Sequence, residues 1–156
     1  SAISLISNEY DYIFIDCPPS LGLLTVNSLA AATEVIVPLQ CEYYALEGLS
    51  QLLNNVELIQ ENLNPDLYVS SIVLVMFDAR TRLAQEVADE VREHFGNLVL
   101  ETVVPRSVRL SEAPSYGKPV ELYDPTSSGA LAYREVAKEV AGRSQRGLQD
   151  TSERSP

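Results

Sequence analysis

Residues 12–15 read Tyr-Ile-Phe-Ile, aromatic or β-branched throughout and without polar alternation. That pattern suits a strand buried on both faces of a parallel sheet, and the run is too short for a helix. It ends at Asp16, and Pro18 and Pro19 then remove two backbone donors and fix φ twice, so a shaped loop must follow. Leu21, Leu23, Leu24, Val26, Leu29 and the alanines at 30–32 recur at helical spacing. Residues 35–39 form a second apolar strand closed by Pro38. Leu46, Leu49, Leu52, Leu53, Val56 and Ile59 share one face of a helix predicted over 44–62, stopped by Asn64 and Pro65. A third strand is predicted over 69–77. A helix over 81–95 follows, with Leu83, Val87, Val91 and Phe95 four apart and Gly96 as its stop. Residues 98–104 make a fourth strand, ended by Pro105. The polar stretch 106–124 is long enough to be functional, and a last helix spans roughly 127–141, with Leu131, Val136 and Val140 towards the core.

Strands and helices alternate, the strands are apolar on both faces, and each crossover is long enough to join parallel neighbours. The expected fold is therefore α/β: a partial doubly wound, mostly parallel sheet with helices on both faces. Residues 1–142 form one domain portion, and 143–156, whose one large apolar residue is Leu148, a disordered polar tail. Ile3, Leu5 and Ile6 read as the end of a helix already under way, and the chain opens on Ser1 rather than Met, so a preceding segment is expected.

Charge changes the picture by its distribution. The net charge of −11 argues against nucleic acid, yet residues 1–79 hold ten acids and no base, whereas 80–156 hold twelve acids and eleven bases. Any anion-binding surface must therefore draw on the second half. Cys17 and Cys41 are too few for a disulfide scaffold or a zinc site and read as reduced thiols. No apolar run approaches the ~18 residues of a membrane span. His94, near a helix C-terminus, fits an ordinary dipole interaction.

Asp16 is the centre of the candidate chemistry. A carboxylate at the carboxyl end of a buried parallel strand stands where open α/β sheets bind ligands, and in P-loop nucleotidases an acid there helps to hold magnesium. The alternative is a strand-end acid capping the next helix. No phosphate-cradling G-x-x-x-x-G-K-[ST] loop accompanies it, because the seven glycines are scattered along the chain.

The stretches YDYIFIDCPPSLGLLTVNSLAAA, VPLQCEYYALEGLSQLL, VMFDARTRLAQEV, VPRSVRLSEAPSYGKPV and YDPTSSGALAYREVAKEV, in this order from residue 10 to 140, resemble the ParA/Soj branch of the ParA/MinD family of deviant Walker ATPases. The resemblance implies a P-loop NTPase-like fold and corresponds to the C-terminal portion of such an ATPase, the phosphate loop lying upstream. Carried over by position, Asp16 matches the Walker B acid, contacting magnesium through water. Cys17, Pro18, Pro19, Ser20 and Gly22 fall in the second switch, which responds to the γ-phosphate. Pro105 and Ser107 match the segment lining the adenine pocket, with Ser107 where relatives often have Asn. Arg80 and Arg109 match arginines that relatives use for nonspecific DNA contact, and Arg82, Arg106 and Lys118 could extend that patch. Read without the family, Pro105 is a strand terminator, and the arginines are surface ions paired with Asp78, Glu112 and Glu121. Tyr43, Tyr44 and Glu47 read as helix packing.

What the resemblance implies is a cytoplasmic, nucleoid-associated partitioning ATPase. Its intact form binds Mg-ATP, forms a homodimer, coats DNA nonspecifically and is stimulated by a ParB-like partner. No membrane association is expected, and the chain alone is expected to be inactive without a phosphate loop. Two alternatives are a MinD-like ATPase at the membrane, which would need an amphipathic C-terminal helix, and a non-enzymatic module acting by dimerisation or partner binding.

Overall fold

The computed structural model describes residues 3–18 and 22–152, with side chains as far as Arg143. The fold is α/β, and the chain divides into two compact units. One comprises Ser1–Val35 and Leu49–Val69, the other Ile36–Gly48 and Ser70–Pro156. In chain order the elements are two short 3-10 turns (Ile3–Leu5 and Ser7–Glu9), α1 (Leu23–Ala31), β1 (Glu34–Gln40), α2 (Ala45–Asn62), β2 (Tyr68–Val75) and α3 (Arg82–Phe95). Then come α4 (Val108–Glu112), a 3-10 turn (Ala113–Tyr116), α5 (Val120–Tyr123) and α6 (Ser128–Ser152).

β1 and β2 pair side by side. The Tyr68 hydroxyl lies 3.5 Å from Glu34 Oε2 at one end, and Val75 accepts from the Cys41 N–H at 3.4 Å at the other. Both residue numbers rise together, so the strands are parallel, as a crossover through α2 requires. Pro38 does not end β1. It sits exposed within the strand, the place where a missing donor costs a sheet least.

In the first unit Leu29, Val56, Ile59 and Leu67 form the core, with Val26, Ala32, Val35 and Val69 against it. Asn64, read as a helix stop, also donates its side-chain amide to the carbonyls of Leu29 (3.0 Å) and Ala32 (2.7 Å), tying the end of α1 to the turn after α2. In the second unit Val73, Leu100, Val104, Val136 and Val140 form the core. Each such burial contributes about 1.5–3 kcal/mol.

Several expectations are corrected. Residues 12–15 are not a buried strand: among the described residues no segment pairs with them, and Tyr12 and Phe14 are 46% and 77% exposed. An apolar run records a demand for burial, but a strand also needs neighbours for its backbone groups. The stretch 98–104 is not a continuous strand either: one parallel bridge joins its Val99 to Ile72 of β2, and a second joins Pro105 to Phe77 just beyond both segments. Between them the Glu139 carboxylate of α6 accepts from the N–H groups of Glu101 and Thr102, both at 2.9 Å, which removes these donors from the ladder. On α3, Leu83 is exposed and the small Ala84 and Ala88 share the buried face with Val87 and Val91. On α6, Leu131 is exposed and Ala130 buried.

The polar stretch 106–124 is largely helical rather than irregular. The helix expected to end near Ala141 continues to Ser152. Arg143, assigned to a disordered tail, instead donates to the carbonyls of Ser70 (3.1 Å), Leu98 (3.0 Å) and Val99 (3.2 Å). A hydropathy pattern misses such an anchor because its partners are backbone oxygens.

Candidate functional site

In the first unit, the extended run delivers Asp16 to the start of the turn that leads into α1. Asp16 and Pro18 are exposed and Cys17 is half-buried. The Cys17 thiol faces the Ile15 carbonyl at 3.7 Å, and the buried Thr25 hydroxyl on α1 donates to the Pro18 carbonyl at 3.4 Å, fixing the loop to the helix it precedes. Pro19 and Ser20 lie outside the described residues. Gly22 occupies the N-cap of α1 at φ −92° and has no side chain with which to cap it. Neither the dihedral nor the open space at its Cβ position demands glycine there. Among the described residues no three of His, Cys, Asp and Glu gather as a metal site. One exposed carboxylate fits magnesium, a hard cation that commonly takes one or two carboxylates together with waters and phosphate oxygens.

In the second unit the bridge between Phe77 and Pro105 sets two loops side by side at the carboxyl end of β2. It is reinforced by hydrogen bonds from Phe77 N–H to the Val104 carbonyl (3.1 Å) and from Arg106 N–H to the Phe77 carbonyl (2.9 Å). Arg80 lies three residues beyond Phe77 and Arg109 four beyond Pro105, so the topology brings both arginines to one sheet edge. Met76, at the entry to this edge, has φ 55°. A left-handed conformation in a residue with a long side chain is a local strain of about 1–3 kcal/mol, of the kind concentrated at functional edges. Ser107 stands at the N-cap of α4 with no capping hydrogen bond from its side chain.

The arginines are engaged by acids. Arg80 grips Asp78 with Nε on Oδ1 (2.9 Å) and Nη2 on Oδ2 (2.7 Å), while its N–H also donates to Oδ1 at 3.1 Å. These bonds hold the Asp78 carboxyl well below the usual carboxylate range. Arg109 Nη1 donates to Glu112 Oε2 at 2.9 Å, and its Nε lies 3.4 Å from Asp124 Oδ2. The Tyr123 hydroxyl donates to the same Glu112 oxygen at 3.1 Å and its ring stacks on Tyr116. Arg106 and Arg82 make looser pairs with Glu42 (3.7 Å) and Glu86 (3.9 Å), and Lys118 is exposed.

The surface-ion pairing with Asp78 and Glu112 is thus present, while Glu121 pairs with Arg134 instead. Sequence reasoning missed Asp124 as a partner of Arg109, and a separation of fifteen residues carries no local signal. Cys41 is buried beyond β1, and burial pushes its thiol up despite the charge of Arg92.

Residues 1–69 match the family model described as an AAA domain. The chain is 59% identical over 140 residues to the sporulation initiation inhibitor protein Soj of Bacillus subtilis, covering 90% of this chain and 55% of that protein. It is 56% identical over 142 residues to the chromosome partitioning protein ParA of Myxococcus xanthus, covering 91% and 50%. The chain spans about half the length of the curated relatives it matches. Among solved structures, cobyrinic acid a,c-diamide synthase from Mycobacterium smegmatis, with a bound ATP analogue and magnesium, superposes with a TM-score of 0.74 at 35% identity, over 94% of this chain and 52% of that one. The cell division ATPase MinD of Pyrococcus furiosus superposes with a TM-score of 0.73 at 24% identity, over 90% and 55%, a likeness of fold.

Proposed function

We propose, from its similarity to ParA and Soj partitioning proteins over the part of those relatives that it spans, that the protein carrying this chain is an ATP-dependent DNA-partitioning ATPase. In this reading it binds Mg-ATP, dimerises in that state, coats DNA without sequence preference, and releases it when a ParB-like partner stimulates hydrolysis. The observation that carries the reading is the collinear identity of 59% and 56% with proteins named for sporulation control and chromosome partitioning.

Asp16 is proposed to orient a water on the magnesium ion, which when bound neutralises charge developing on the phosphates. Cys17, Pro18, Pro19, Ser20 and Gly22 form the segment that responds to the γ-phosphate, and the Thr25 bond to the Pro18 carbonyl carries a shift of that loop into α1. Pro105 and Ser107 border the adenine. The Ser107 hydroxyl, which makes no capping hydrogen bond, suits a base edge. Arg80 and Arg109 supply sequence-independent phosphate contacts from one sheet edge.

The test is steady-state ATP turnover by the full-length protein with magnesium, DNA and its ParB-like partner. Asp16→Ala is expected to abolish stimulated turnover, and stimulated turnover at the wild-type level in that variant contradicts the assignment. Residues 1–156 alone are expected to show no turnover above background.

A further inference from the structure

Both proposed DNA-contacting arginines are held by carboxylates of their own surface, and these carboxylates compete with phosphate. Asp78 meets Arg80 with both oxygens, matching the planar fork that would otherwise receive two phosphate oxygens. Glu112 and Asp124 flank Arg109 from two sides, Nη1 on one and Nε near the other, and Glu112 is itself positioned by the Tyr123 hydroxyl. Arg80 is 85% exposed and Arg109 54% exposed, so both forks are reachable from solvent while already occupied.

We infer that Asp78 and the Glu112–Asp124 pair are intramolecular phosphate mimics that weaken nonspecific DNA binding, setting it weak enough to be reversed. This rests on the DNA-binding reading of Arg80 and Arg109. A phosphate that takes an arginine must displace its acid, and the freed acid recruits a cation from solution. That uptake cancels part of the counterion release that drives binding. Removing the acid therefore both tightens binding at low salt and steepens its salt dependence. A charge effect with no clamp falls off with an acid's distance from the duplex and does not require that the acid touch an arginine.

The experiment is fluorescence anisotropy of the full-length protein with Mg-ATP on a random-sequence duplex from 50 to 200 mM salt. Asp78→Asn and Glu112→Gln are compared with Glu57→Gln, an exposed acid on α2. Each clamp variant is expected to steepen the slope of log affinity against log salt by up to about 0.9 per freed arginine, which over that range is a gain of up to roughly threefold at the low-salt end. Glu57→Gln is expected to leave the slope unchanged.

Equal gains in all three variants, or unchanged or weaker binding in both clamp variants, overturn the inference. If Glu112→Gln loosens α4 and α5, Asp78→Asn, whose partner lies two residues away, still decides it. Arg80→Gln and Arg109→Gln separate the two levels. If they leave binding and slope untouched, the DNA reading itself fails. If they weaken binding while the clamp variants change nothing, only the clamp fails.

Discussion

At the residue scale, fit and hydrogen bonding decide which positions tolerate change. Ser71 lies fully buried in β2 with no hydrogen-bond partner for its hydroxyl among the described residues. Ser71→Ala removes a desolvated polar atom, and a gain of about 1 kcal/mol in urea unfolding is expected. Gly129, in the first turn of α6, sits so close to Leu110 that a Cβ there would meet its Cγ at 2.6 Å. Gly129→Ala is expected to cost about 1–3 kcal/mol by overpacking, with most of the loss recovered when Leu110→Ala is added. A double-mutant cycle measures both values. Neither residue stands out in the sequence, because one requires knowing that a hydroxyl has no partner and the other that two helices touch. Asp16, by contrast, is singled out as a candidate by its place after an apolar run, and Arg80 and Arg109 as candidates by their motifs. Their acid partners were legible only where they lie close in sequence, as Asp78 and Glu112 do. Asp124 was not.

At the element scale, hydropathy located β1, β2, α2 and α3 to within a few residues, since each buries a face against the unit it belongs to. It failed where a strand depends on something other than its own side chains. The run at 12–15 has strand composition but no described partner, and the stretch 98–104 yields its central donors to Glu139. Burial alone would raise the Glu139 carboxyl. The hydrogen bonds from Thr102 and Glu101 and the charge of Arg143 outweigh it and leave the carboxyl below its ordinary value of 4.5. A depressed carboxyl stabilises the fold fully above its unfolded value and loses that contribution as pH falls through the folded one. Wild type is therefore expected to melt higher than Glu139→Gln at pH 6, and the two melting temperatures to converge as the pH falls below 4.5 and through the lower folded value. A constant gap down to pH 2.5 would show that the carboxylate form is not what matters.

At the scale of the whole molecule, the asymmetry of charge agrees with the proposed division of labour. The basic residues all lie from Arg80 onwards, and the acid proposed for the metal lies in the base-free half. A chain with a net charge of −11 can bind a polyanion only through a local arrangement, the role proposed for the two loops joined by the Phe77 and Pro105 bridge. The most direct test is the affinity of the full-length protein, with Mg-ATP, for two duplexes of unrelated sequence across a salt titration, in wild type and in Arg80→Glu/Arg109→Glu. Wild type is predicted to bind both duplexes equally. The double variant is predicted to bind both more weakly by the same factor, with a shallower salt slope. Unchanged affinity and slope in the double variant would contradict the account.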